Sequence, residues 1–324
     1  MRRPTAQGDI THTSGDSLRL GTVSGVSEMR RGVLSGVVAY VLWGLFPLYW
    51  PLLKPAGAAE ILAHRMIWSL VAVGVILGVR RHWGWIKDLR AKRIALLSVA
   101  ALVITVNWGT YIYAVNSGHT IEAALGYFIN PLVSVLLGVL VLRERLRPWQ
   151  WVAVGVGTAA VVVLAIDYGR PPWIALTLAC SFGTYGLLKK FARTPSAESL
   201  AVETAVLFVP ALAFVFIQPH STFTGHGGGH IALLVGAGLV TAVPLMFFNS
   251  SATRVPLTVI GMLQYLAPIL QFVIGLLVQH EAMPASRWIG FLLVWAALVI
   301  LSVDAVRSAR STRRRAREPE PVAA

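Results

Sequence analysis

Long stretches of Val, Leu, Ile, Ala and Gly alternate with short polar breaks along almost the whole chain. Runs such as "WVAVGVGTAAVVVLAI" (151–166) and "WIGFLLVWAALVILSV" (288–303) lack the two-residue alternation of a half-buried strand and the narrow apolar stripe of a water-facing helix. A helix that is apolar all round belongs in lipid, and about 20 such residues cross the hydrocarbon core. Ten spans are predicted, near 33–53, 60–79, 94–114, 120–142, 149–166, 172–189, 199–217, 231–250, 256–279 and 286–305. The fold class expected is an all-α membrane protein of ten transmembrane helices.

Composition agrees. Of the 324 residues, 56% are hydrophobic and 13% charged, about half the roughly 25% charged share of soluble domains. Too few charges remain to cover a water-facing surface, so the chain is read as polytopic. The net charge of +14 would suit nucleic acid if it were clustered, but it is spread by segment. Assigning alternate connections to one side leaves only Lys54, Arg170 and Arg287 on the other, with Arg65 inside a span. This is the positive-inside signature, and it predicts cytoplasmic termini. Residues 1–31 and the basic 306–324 read as disordered cytoplasmic tails, the latter able to touch anionic lipid. "MRRGVLSGVVAY" makes Met29 a plausible native start. The single Cys180 excludes an intrachain disulfide.

The second half repeats the first. At an offset of 137, Pro131 meets Pro268, Gly138 meets Gly275, Glu144 meets Glu281, Trp151 meets Trp288 and Asp167 meets Asp304. An offset of 138 aligns "AEILAHR" (59–65) with "AESLAVE" (197–203). Two five-helix repeats follow, 32–167 and 168–305. Because five is odd, the second must enter the membrane inverted, the plan of secondary transporters with a midplane site at the repeat interface.

Polar residues mark that site. Tyr127, Asn130, Ser134 and Gly138 share one helical face, as do their counterparts Gln264, Ala267, Gln271 and Gly275, with Tyr265 alongside. Pro131, Pro268 and, in the eighth span, Pro244 are expected to break their helices and free backbone carbonyls. Taken singly, such residues serve packing as well; two matched stripes favour a lined cavity. Asn107, Trp108, Tyr111 and Tyr113 give the third span a polar-aromatic surface, as Tyr40, Trp43 and Tyr49 do the first. Arg65 reads either as an anchor for an anionic group, with His64, Glu122 or Glu203 as proton sites, or as the partner of Glu60 or Glu122 in a structural ion pair. Both readings stay open. His220, His226 and His230 lie in a glycine-rich loop without cysteine or carboxylate, a poor zinc site. Glu144 and Glu281 read as structural. No P-loop, H-E-x-x-H or nucleophile elbow occurs, so no enzyme activity, metal or cofactor is expected.

The segments "AYVLWGLFPLYW", "AAEILAHRMIWS", "VNWGTYIYAVN", "EAALGYFINPLVSVLLGVLVLRERL" and "LTVIGMLQYLAPILQFVIGLL" resemble the RarD group of EamA-type permeases, in the drug/metabolite transporter superfamily. The resemblance runs from about 32 to 305. It implies two inverted five-helix bundles in a bacterial cytoplasmic membrane and a link to chloramphenicol. The glutamate that small multidrug exporters carry in their first helix has no counterpart between Gly32 and Leu53. The function expected is secondary transport, with export favoured by family analogy, of a small amphipathic or weakly acidic metabolite or drug by alternating access. Proton coupling is one option for the drive. The alternatives are a flippase for lipid-linked headgroups and a non-transporting receptor or assembly subunit. The partners expected are a small molecule and membrane lipid, not nucleic acid. Substrate, direction, coupling ion and oligomeric state stay open, a monomer being compatible.

Overall fold

The computed structural model describes residues 14–315 except 80, 82, 83, 193 and 195. Among the described residues there are helices and turns and no strand. The elements are α1 (Ser14–Gly44), α2 (Phe46–Tyr49), a 3-10 turn (Trp50–Leu53), α3 (Ala58–Val79), a second turn (Gly84–Asp88), α4 (Ala91–Asn116), α5 (Thr120–Leu142) and α6 (Pro148–Tyr168). The second half follows as α7 (Trp173–Ala192), α8 (Ser196–Ile217), α9 (Gly227–Ala252), α10 (Leu257–Leu263), α11 (Leu266–Leu277) and α12 (Ala285–Arg315).

Nine of these segments are long and apolar enough to cross a membrane, α1 with α2 and α10 with α11 each counting once. The tenth expected span is α7, whose 20 residues include Lys189 and Lys190 in the last turn. At 1.5 Å per residue a 23-residue helix such as α5 reaches about 35 Å, enough to cross the hydrocarbon core of about 30 Å. Connections rich in Lys and Arg gather at one end of the bundle, termed the basic face, and the others at the opposite face.

Three expectations change. The expected tails are helical where described: α1 begins at Ser14 and α12 continues to Arg315. Extending an existing helix costs far less than nucleating one, and no proline lies between Thr5 and Phe46 to stop it. Residues 1–13 and 316–324 lie outside the described residues. Helices α5 and α9 run without interruption through Pro131 and Pro244. One lost hydrogen bond does not end a helix whose neighbours hold both sides. Only near Pro268 does the break occur, at Gln264 and Tyr265 between α10 and α11.

Packing follows an approximate two-fold relation that exchanges the halves. The pair α4·α7 has its counterpart in α1·α9, α5·α7 in α1·α11, and α3·α9 in α4·α8. Three pairs are their own counterparts, α3·α8, α5·α11 and α6·α12. The same relation appears in the charges. Asp167 at the end of α6 accepts from Arg287 Nε at 3.0 Å and from the Ser286 hydroxyl. At the other end of the same pair, Arg147 approaches Asp304 at 2.6 Å.

Small residues let the helices meet. A Cβ on Gly238 of α9 would fall 2.3 Å from the backbone carbon of Trp68 in α3. Only glycine fits there, because a helix backbone cannot yield as a side-chain tip can. Buried leucine, isoleucine and aromatic side chains fill the remaining space, with Trp50, Phe291 and Leu53 fully enclosed.

Candidate functional site

Arg65 sits seven residues into α3 from the opposite face, roughly 10 Å deep at 1.5 Å per residue. It is 3% exposed. Its Nε donates to Thr241 Oγ1 of α9 at 2.8 Å, and Thr241 in turn donates to the Ala237 carbonyl. Three aromatic rings surround the guanidinium carbon: Trp108 at 3.9 Å, Trp50 at 5.3 Å and Phe46 at 5.7 Å from their centroids. Nη1 is buried without a hydrogen-bond partner. Among the described residues no carboxylate pairs with Arg65, so the ion-pair alternative fails.

The candidate partners are engaged elsewhere. Glu60 accepts from the Thr222 N–H at 2.7 Å and from the Ser221 and Thr222 hydroxyls. It thereby ties the loop before α9 down over α3. Glu122 accepts from Arg170 at 2.9 Å and from the Ile174 N–H at 3.2 Å, fastening α5 to the start of α7.

Beside Arg65, α4 and α5 contribute a polar-aromatic wall. Tyr127 donates to Asn107 Oδ1 at 3.2 Å. Asn107 Nδ2 donates to the Leu178 carbonyl and the Ser181 hydroxyl of α7, both at 3.0 Å. The rings of Tyr111 and Tyr127 meet edge to face at 5.7 Å, and the Tyr111 hydroxyl is buried with no partner. The structure thus gathers Arg65, Asn107, Trp108, Tyr111 and Tyr127 of the first half into one cluster, held against Thr241 and Ser181 of the second.

The other expected residues lie apart from it. Asn130 faces α7, its Oδ1 buried and unpartnered and 3.5 Å from where a Cβ of Gly183 would stand. Gln271 donates to the Trp43 carbonyl at 3.2 Å, and its Oε1 is buried and unpartnered. Tyr265 has Ser302 of α12 and Gln264 as polar neighbours. Ser134 is exposed, in the half of α5 that also exposes Leu140 and Val141.

Glu203 accepts from Lys189 at 2.9 Å, from Tyr185 at 3.0 Å and from Ser199 at 2.6 Å near the basic face. His64 stacks on Phe223 at 4.6 Å, with both ring nitrogens buried and unpartnered. The His226 and His230 rings lie 5.4 Å apart, and His230 bonds the Thr222 hydroxyl at 3.0 Å. Among the described residues no group of three or more His, Cys, Asp or Glu could hold a metal. A surface cavity of about 460 Å³ at the opposite face is bordered by Lys54, Gly57, Tyr113 and Asn116.

Two successive matches to the EamA-like transporter family cover residues 30–166 and 171–303. The chain belongs to this family. Within it, the chain is of the RarD type. It is 59% identical over 300 residues to Protein RarD of Streptomyces exfoliatus, spanning 91% of this chain and 95% of that one. Identity to Protein RarD of Escherichia coli is 38%, over 88% and 98% of the two chains. The Uncharacterized transporter YojE of Bacillus subtilis is 44% identical over 89% and 98%. A crystal structure of a chain 21% identical superposes with a TM-score of 0.56, covering 85% of this chain and 98% of that one, a likeness of fold.

In this EamA-family protein three residues of the cluster were not singled out from sequence. Phe46 and Trp50 lie in "LFPLYWP", where aromatic residues near a helix end read as interface anchors. Thr241 was visible only as one hydroxyl amid the apolar run of its helix. Its role depends on how α9 is rotated against α3, which hydropathy does not encode.

Proposed function

We propose that this RarD-type protein is a secondary transporter of a small amphipathic organic anion, or of a drug that resembles one, and that Arg65 is its anchor. The supporting observation is a buried guanidinium with one donor held by Thr241, another unpartnered, and no carboxylate paired with it among the described residues. An unpaired buried cation costs several kcal/mol, on the order of what a substrate anion would return on binding. Aromatic faces offset part of that cost, each by about 0.5–2 kcal/mol. They also offer Trp108 and Tyr111 as flat surfaces for the apolar part of the solute. Chloramphenicol, named in a Pseudomonas aeruginosa relative 27% identical to this chain (Chloramphenicol-sensitive protein RarD), is one amphipathic compound to include.

The repeats rock about their shared contacts and expose the cluster to either face in turn, without a cofactor. The membrane is the bacterial cytoplasmic one, with the basic face and both termini inside. Export is the working direction, by analogy. His64 is the favoured proton site if protons drive the cycle, since Glu122 and Glu203 already hold ionic partners.

The test is solute flux in proteoliposomes, using a panel of aromatic and aliphatic carboxylates with chloramphenicol, with and without a pH gradient. Saturable flux of an anion that disappears in Arg65→Met is expected. Equal flux in wild type and Arg65→Met, or flux only of cations, overturns the reading.

A further inference from the structure

Helices α5 and α11 agree in sequence and in local backbone, yet differ in what they touch. Each leads into a residue with positive φ, Arg143 at 55° and His280 at 53°. A glutamate follows whose N–H returns to a glycine carbonyl, Glu144 to Gly138 at 3.1 Å and Glu281 to Gly275 at 2.9 Å. The two turns are related by the same 137-residue offset as the repeats.

The side chains part company. Glu281 crosses to α5 of the other half, where Oε1 accepts the Thr120 N–H at 2.5 Å and Oε2 the Ile121 N–H at 2.9 Å. These N–H groups open α5, have no acceptor within their own helix, and carry the positive end of its dipole. A carboxylate across both makes a charge-assisted cap. The Thr120 hydroxyl also bonds Gln279 at 2.5 Å. The backbones are close as well, since a Cβ on Gly275 would stand 2.8 Å from Ile121 Cγ1 and 3.3 Å from its nitrogen.

The same offset makes Leu257 and Thr258, at the start of α10, the counterparts of Thr120 and Ile121. Glu144 is turned outward instead. Its side chain is 59% exposed and faces Lys190 across 3.7 Å. It borders a cavity of about 270 Å³ at the basic face, lined also by Val135, Arg147 and Gln150. The asymmetry continues along the helices, for Ser134 is exposed while its counterpart Gln271 is 3% exposed.

We infer that Glu281 and Glu144 are paired latches used in alternation. In the described state the opposite-face latch is fastened and the basic-face latch undone. In the counter-state Glu144 caps Leu257 and Thr258 while Glu281 releases Thr120 and Ile121. Both turns already have the required backbone, so the exchange needs a pivot of α5 against α10 and α11 and no refolding. Two caps of one chemistry at the two ends also keep the end states close in free energy, as a carrier that must occupy both requires. This inference rests on the alternating-access reading and names the residues that hold each end shut.

The experiment measures distances between spin labels in the full chain, embedded in nanodiscs, in a Cys180→Ser background. One pair, at Ser117 and Ala282, spans the opposite-face latch; the other, at Arg145 and Thr253, spans the basic-face latch. Glu281→Gln removes the charge of the cap and should shift the opposite-face populations toward the longer distance about tenfold, with the basic-face pair shortening. Gly275→Ala, a wedge at the same contact that leaves the glutamate in place, should act in the same direction, and so keeps the test sound should Glu281→Gln fail to fold. Glu144→Gln, at an exposed side chain, should act in reverse and leave the opposite-face pair at its short distance.

Unchanged distances in Glu281→Gln and Gly275→Ala overturn the inference. So does a Glu144→Gln effect of the same sign as that of Glu281→Gln. Solute flux is measured in parallel. Distances that shift as expected without flux of any anion would discard the transport reading and keep the latches; flux with unmoved distances would do the opposite.

Discussion

The guanidinium carbon of Arg65 lies 3.9 Å from the centre of the Trp108 ring, with Thr241 fixing the other edge of the group. A cation held in this way is a poor contributor to stability and a good one to recognition. Arg65→Met keeps much of the volume and removes a buried charge with an unpartnered donor. Thermal unfolding should therefore show equal or greater stability, since apolar replacement of buried ions is often neutral or favourable by about 1–4 kcal/mol. Flux of the anionic substrate should fall roughly 10- to 100-fold or more, the worth of a lost charge-assisted bond. A stability loss without a flux loss would assign Arg65 a structural role.

Thr241→Val is the milder companion. It removes the acceptor for Arg65 Nε at nearly constant volume, so the guanidinium keeps its cage but loses its orientation. A net loss of about 1–2 kcal/mol is expected, read as roughly a five- to thirty-fold rise in the substrate concentration for half-maximal flux. The maximal rate should change far less.

Gly238→Ala tests the packing of α9 on α3. The added methyl would overlap the Trp68 backbone, and a helix must move to admit it, at a cost of about 1–3 kcal/mol. Gly155→Ala in α6 is the control, with nothing within 4 Å of its Cβ position. Thermal unfolding should separate the two, Gly155→Ala being neutral or stabilising by up to about 1 kcal/mol.

The ionic ties of α6 with α12 should prove unequal. Asp167 accepts a well-formed bond from Arg287, has Ser286 beside it, and has a side chain only 6% exposed. Asp304 meets Arg147 at close range, but its Oδ2 makes no hydrogen bond and Arg147 is 40% exposed. Asp167→Asn should cost about 1–3 kcal/mol, and Asp304→Asn less than about 1 kcal/mol after solvent screening. Equal shifts in unfolding temperature for the two variants would contradict this ranking.

Much of this architecture was legible in the residues. Hydropathy locates the membrane segments because lipid demands long apolar helices, and the 137-residue identities expose the repeat because related side chains hold related places. Arg65 stood out because an ion inside a span must answer to something. What the chain alone could not convey was rotation. Tyr127, Asn130 and Ser134 share a helical face, yet Tyr127 meets α4, Asn130 meets α7 and Ser134 is exposed. A helix in lipid has two kinds of outward face, and periodicity does not distinguish a cavity from a membrane. Glu281 was likewise opaque as a terminal acid beside "QHEAMP", because its partners, Thr120 and Ile121, lie more than 150 residues away.

The exchange symmetry of the contacts has a thermodynamic consequence. With α4·α7 answered by α1·α9 and α3·α9 by α4·α8, the scaffold looks much alike from either aqueous compartment and so has no built-in sense of in or out. On the transport reading proposed above, vectorial flow must then come from the gradient across the bilayer and from the few side chains that violate the symmetry. Arg65 and Glu203, buried charges of opposite sign at equivalent repeat positions, are two of these. Reversing the gradient should run the same machine backwards.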